Sequence, residues 1–105
     1  MKQFAVILKM TSYHYRNGEC IMDGDKPKVF NDGYYVWEHD DIDSACDELA
    51  RRTNDYLENG YMRTKAQMGV FSGKVYHVEL VAKKKSAGIS GERLCLREFN
   101  IVKLA

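Results

Sequence analysis

Residues 3 to 10 alternate in hydropathy, with Phe4, Val6, Leu8 and Met10 on one side of an extended chain and Ala5 and Ile7 on the other. Period-two alternation predicts a strand, and apolar residues on both sides predict a central strand whose second face is partly covered. Residues 11 to 39 carry three turn signals, Asn17-Gly18, Asp23-Gly24 and Asp32-Gly33. Between them lie short apolar pieces around Ile21, Phe30 and Tyr34 to Trp37, so the segment predicts one or two short hairpins whose register the pattern leaves open.

The pattern then changes period. Ile42, Ala45, Cys46, Leu49, Thr53, Tyr56 and Leu57 fall on one stripe at helical spacing, which predicts an amphipathic helix from about residue 42 to residue 58. Asp40 or Asp41 can accept the free amides of its first turn, and Asn59-Gly60 supplies a left-handed stop. Residues 66 to 71 and 74 to 83 flank Ser72-Gly73 and predict a hairpin with Tyr76, Val78, Leu80 and Ala82 inward and His77 and Glu79 outward. A last strand is expected near residues 94 to 104. Leu94 and Leu96 favour one phase and Phe99 and Ile101 the other, so a bulge near Arg97 or Glu98 is expected to reconcile them. The fold class that follows is α+β, with one helix packed on an antiparallel sheet of four to five strands.

Length and composition keep this picture within a single unit. A chain of 105 residues, 45% hydrophobic, is expected to be one domain, and it holds neither a repeat nor a low-complexity tract. The apolar run Phe4 to Leu8 is too short for a signal sequence, and no stretch approaches a membrane span. Three cysteines, Cys20, Cys46 and Cys95, are odd in number and lack a C-x-x-C pair, which fits a reducing compartment; a cytoplasmic protein is expected.

The net charge of +1 hides a strong asymmetry. Residues 19 to 60 hold twelve acids against four bases, whereas residues 61 to 105 hold nine bases against three acids. Opposite potentials can therefore face different partners.

Three constellations are candidates for function. Glu38, Asp40, Asp41 and Asp43 lie at the start of the predicted helix without a local basic partner, while Asp47 and Glu48 stand four residues before Arg51 and Arg52. Acids there offset the helix dipole, and they also suit docking on a basic protein surface. Tyr34, Tyr35 and Trp37 belong to an aromatic-rich stretch of the kind that anchors interfaces, although alternation sends half of it inward. Lys83, Lys84, Lys85 and Arg93, with Arg63 and Lys65, form a basic set that suits single-stranded nucleic acid or solubilises a sheet edge. A metal site from His39, Asp41 and Asp43 lacks a known ligand spacing.

Signatures of nucleotide binding, zinc proteolysis and serine hydrolysis are missing, so no catalytic residue and no cofactor is expected. In organisation the chain resembles phage and mobile-element anti-CRISPR proteins. The resemblance is carried by the first strand Phe4 to Met10, the isolated helix entered through Asp40-Asp41-Ile42-Asp43, and the closing strands Val75 to Ala82 and Leu94 to Leu104. It implies a non-enzymatic inhibitor that docks on a nucleic-acid-handling protein such as a CRISPR effector. Several such inhibitors are acidic overall, whereas acidity here is confined to the middle third. The expected partner is thus a protein with a basic surface, engaged through Glu38, Asp40, Asp41, Asp43, Tyr34, Tyr35 and Trp37. The alternative is a small nucleic-acid-binding protein using the basic set. A monomer or a homodimer is expected, since Ala5 and Ile7 lie away from the helix and call for a cover such as the early hairpins or a second copy.

Overall fold

The computed structural model describes residues 1–71, 73–85 and 91–104. The elements are β1 (Phe4–Arg16), β2 (Glu19–Cys20), β3 (Met22–Asp23), β4 (Lys26–Pro27), β5 (Phe30–His39), α1 (Ile42–Glu58), β6 (Met62–Phe71), β7 (Lys74–Lys85) and β8 (Gly91–Lys103). The long strands form one antiparallel sheet in the order β5, β1, β8, β7, β6. β2 pairs with the far end of β1, and β3 and β4 make a separate small hairpin. The α+β class and the single helix on an antiparallel sheet are as the pattern predicts.

The helix forms where the apolar stripe runs. Asp41 caps it, its Oδ1 accepting from the Ser44 amide at 2.7 Å, and Asn59 closes it with Gly60 at φ 87°. It leaves one edge strand, β5, and delivers the chain to the other, β6, so it crosses one face of the sheet and packs on all five strands. Ala45, Cys46 and Leu49 of the helix meet Val6, Leu8, Val78, Leu80, Phe99 and Ile101 of the sheet. Each fully buried Leu, Val or Phe contributes about 1.5–3 kcal/mol.

Helix and sheet differ in length. A strand of 13 residues spans about 43 Å, and a helix of 17 residues about 25 Å. The molecule is correspondingly long, 48 × 29 × 23 Å. The helix therefore covers one end of one face, and the opposite face carries no helix among the described residues.

Four expectations are corrected. First, β1 continues to Arg16, and Asp32-Gly33 is no turn but lies inside β5, opposite a register shift between Met10 and Thr11. Gly33 sits in close approach there: a Cβ would stand 3.0 Å from the Tyr35 ring and 3.2 Å from Met10 Sδ, so those side chains would have to give by a few tenths of an ångström. Second, β8 holds no bulge. It pairs with β1 from Phe4↔Lys103 to Arg16↔Gly91 and with β7 from His77↔Asn100 to Lys85↔Glu92 without a slip. The phase break is illusory because Arg97 takes an inward position. It is 9% exposed, with its guanidinium 5.7 and 5.4 Å from the rings of Tyr56 and Tyr61. Third, Ala5 is wholly buried without a covering hairpin, lying in register between Glu38 and Val102. Fourth, Leu57 at the end of the stripe is exposed.

Candidate functional site

Strand β5 is an edge: among the described residues it pairs with β1 alone. Its residues alternate faces. Tyr35 and Trp37 stand opposite Leu8 and Val6 and so share the helix side, while Tyr34, Val36 and Glu38 stand opposite Lys9, Ile7 and Ala5 on the open side. Tyr34 is 62% exposed, Tyr35 50% and Val36 48%, an uninterrupted apolar run at a sheet edge. Trp37 is the inward anchor that alternation predicts. Tyr35 stacks on it at 5.9 Å and the Arg52 guanidinium lies 3.5 Å from its ring centre.

Arg52 is itself held by the helix. Its Nε donates to Glu48 Oε2 at 2.9 Å, Arg51 reaches the same oxygen at 3.4 Å, and His39 at the end of β5 meets Glu48 Oε1 at 2.5 Å. Burial pushes the Glu48 carboxyl up, but the hydrogen bonds from His39 and Arg52 outweigh it and hold the group below its ordinary value. Arg51 thus pairs with Glu48 and not with the expected Asp47. This network ties the His39 end of β5 and the Trp37 ring to the helix.

The acids predicted for docking divide into two kinds. Asp41 is spent on the helix cap, and the Ser44 amide lowers its pKa. Asp43 accepts from Lys74 Nζ at 2.6 Å, which raises the lysine. Asp40 keeps only loose pairs, with Lys2 at 3.6 Å and the N-terminal amine at 3.7 Å, and its side chain is 64% exposed. Glu38 makes no ion pair among the described residues and is exposed. The structure brings Glu38 and Asp40 next to Tyr34, Tyr35 and Trp37, and assigns Asp41 and Asp43 to the chain's own folding. His39, Asp41 and Asp43 each have separate partners and do not converge on a metal site.

The basic set is dispersed over both faces. Lys83 and Lys85 stand with Leu94 and Glu92 on the open side, whereas Lys84 and Arg93 stand opposite each other on the helix side. Lys84 Nζ donates to Asn59 O at 3.1 Å and lies over the Tyr61 ring. Arg63 pairs with the inward Leu80, and Lys65 approaches Glu79 at 3.7 Å. A groove of about 430 Å³ does gather Tyr15, Lys83 and Arg93, but Glu92 lines it as well. The Ser86 to Ser90 stretch of the predicted loop lies outside the described residues.

A cluster that the pattern did not assemble lies on the open face. His77 is 8% exposed, although it points away from the helix. Its Nδ1 meets Asn100 Oδ1 at 2.7 Å and its Nε2 meets Glu79 Oε2 at 2.7 Å, while Asn100 Nδ2 donates to Glu98 Oε1 at 3.2 Å. Burial works against charge on His77, yet its bonds to Glu79 and Asn100 and the nearby carboxylates raise its pKa. His77-x-Glu79 was visible in the sequence as two outward residues. Glu98 and Asn100 join them only through the β7–β8 register.

The architecture defines an α+β protein with one helix, among the described residues, across one face of an antiparallel sheet, an exposed aromatic edge and an open polar face. No family model, curated protein or solved structure matches the chain. No helix among the described residues is long and apolar enough to cross a membrane.

Proposed function

We propose that this protein acts by stoichiometric binding of another protein, with the outer edge of β5 as its docking surface. One observation carries the reading: Tyr34, Tyr35 and Val36 are consecutive, 48–62% exposed, and lie on a strand whose outer edge is unpaired among the described residues. Such an edge offers main-chain hydrogen bonds to an added strand and alternate side chains on both faces for specificity. The opposite edge is less suited. Strand β6 pairs with β7 through three register shifts and carries Arg63 and Lys65, features that blunt an edge. Glu38 and Asp40, at one end of β5, give the partner's Lys or Arg side chains a place to pair. An inhibitor of a nucleic-acid-handling protein, a CRISPR effector among them, fits this chemistry, because such targets expose basic channels.

The test is a pair of open-side substitutions. Tyr34→Lys with Val36→Lys should leave the circular dichroism spectrum and unfolding midpoint near wild type and abolish binding to the purified partner. Glu38→Lys with Asp40→Lys should weaken that binding and reduce its salt dependence. Unchanged binding in the Tyr34/Val36 variant would overturn the docking edge. A mobility shift of single-stranded DNA or RNA at low salt, lost in Lys83→Glu with Lys85→Glu, would instead favour direct nucleic-acid binding.

A further inference from the structure

The open face holds one group of metal-ligand chemistry. One ring nitrogen of His77 and one carboxylate oxygen each from Glu79 and Glu98 lie within 4.8 Å of one another, the first residue buried and the other two half-buried. Two strands supply them. His77 and Glu79 are alternate residues of β7 and therefore share a face, and Glu98 is the direct cross-strand partner of Glu79 on β8.

His77 Nε2 already pairs with Glu79 at 2.7 Å, and two further observations suit the group to a cation in the place of the proton between them. Like charges placed directly opposite on one sheet face destabilise the pairing, and Glu79 and Glu98 are so placed. Lys65 approaches Glu79 at 3.7 Å, and Lys9 is the β1 neighbour of Glu98 in register, but among the described residues Glu98 makes no ion pair. The histidine is also oriented as metal-bound histidines are. Asn100 turns its Nδ2 to Glu98, which fixes its Oδ1 as the acceptor facing His77. The Nδ1–H of His77 is therefore the donor, and Nε2 is the atom aimed at the carboxylates. Histidine ligands commonly donate their second ring N–H to such a partner, which sets the tautomer and ring plane.

We propose that His77, Glu79 and Glu98 bind a divalent transition-metal ion of the zinc class on the open face of the sheet, with Asn100 as a positioning residue. One imidazole nitrogen and two carboxylate oxygens make a three-donor set that leaves a fourth, tetrahedral position to solvent or to a partner's side chain. The nitrogen donor selects Zn²⁺ and its neighbours over Mg²⁺ and Ca²⁺, which prefer oxygen alone. Tetrahedral donors about 2.1 Å from one ion stand roughly 3.4 Å apart, so the carboxylate ends rotate to close on the metal while the strands stay in place. Any proton on Nε2 passes to solvent as the metal takes its position. The inference does not depend on the role of β5.

The test uses the full chain stripped with a chelator. Calorimetry with Zn²⁺ should give one ion per chain, unaffected by excess Mg²⁺. Co²⁺ should give visible ligand-field bands without the ultraviolet thiolate band that Cys20 would produce. Glu98→Gln should weaken Zn²⁺ binding more than about tenfold, and Asn100→Ala about 10–100-fold. His77→Gln should abolish it; because His77 is buried, Glu98→Gln decides the matter if that variant unfolds. Absence of stoichiometric Zn²⁺ binding would overturn the site. So would equal affinity in Glu98→Gln, or a thiolate band that Cys20→Ser removes.

Discussion

On the helix side of the sheet, Val6, Leu8, Val78, Leu80, Phe99 and Ile101 close on Ala45, Cys46 and Leu49. On the opposite side the same strands present Ile7, Lys9, His77, Glu79, Glu98 and Asn100, with Val36 and Tyr34 at the edge. The first face is sealed by a second layer and contributes stability through burial. The second carries no helix among the described residues, and its polar groups pair laterally, as His77 does with Glu79 and Asn100. The contrast explains why the candidate binding groups collect on the open face and the β5 edge. A side chain in the sealed core has its contacts already, whereas an open sheet face is preorganised by the ladder and remains available to a ligand.

Substitutions separate the two faces, and the largest effect belongs to the sealed one. Phe99→Ala should cost about 3–5 kcal/mol in urea unfolding, because Phe99 is fully buried at the centre of the core and its loss leaves a cavity. Next comes the link between helix and β5. Glu48→Gln should cost about 2 kcal/mol at neutral pH, where the charged hydrogen bonds to His39 and Arg52 are intact. The Glu48 carboxyl has a folded pKa below its ordinary 4.5, so its contribution is present above that value and disappears as pH falls through the folded pKa. Wild type and Glu48→Gln should accordingly converge in acid; curves that stay parallel would show that the pair does not stabilise the fold. The smallest effect belongs to the open side. Val36→Ser should change unfolding free energy by less than about 0.5 kcal/mol, since the residue is 48% exposed. A loss as large as that of Phe99→Ala would mean that the open face is covered in solution.

The helix was legible in its extent, with its cap left open between Asp40 and Asp41. Its stripe, its Asp41 cap and its Asn59-Gly60 stop are local signals, and the observed bounds Ile42–Glu58 follow from them. The first part of β1, Phe4 to Met10, the hairpin about Gly73 and the inward set Val78, Leu80 and Ala82 were plain from alternation. The middle of β5 was not, because Asp32-Gly33 carries the composition of a turn while the chain uses the glycine to admit the Tyr35 ring and Met10. The phase of β8 was obscured by Arg97, a charged residue at a core position whose cover, Tyr56 and Tyr61, comes from the helix and the turn after it.

The same division holds for the sites. Tyr34, Tyr35 and Trp37 were identifiable as interface material from residue type alone. Which acids remained free was a tertiary matter, since Lys74 is far from Asp43 in sequence and only the packing of β7 beside the helix start joins them. The sequence by itself determined the elements, their amphipathic faces and the uneven charge along the chain, because those depend on neighbours within a turn or a strand. Tertiary structure alone decided that β5 is an edge, that the basic residues are divided between two faces, and that His77, Glu79, Glu98 and Asn100 meet. Strand order and register bring distant residues together, and the alternation within each strand is compatible with many pairings.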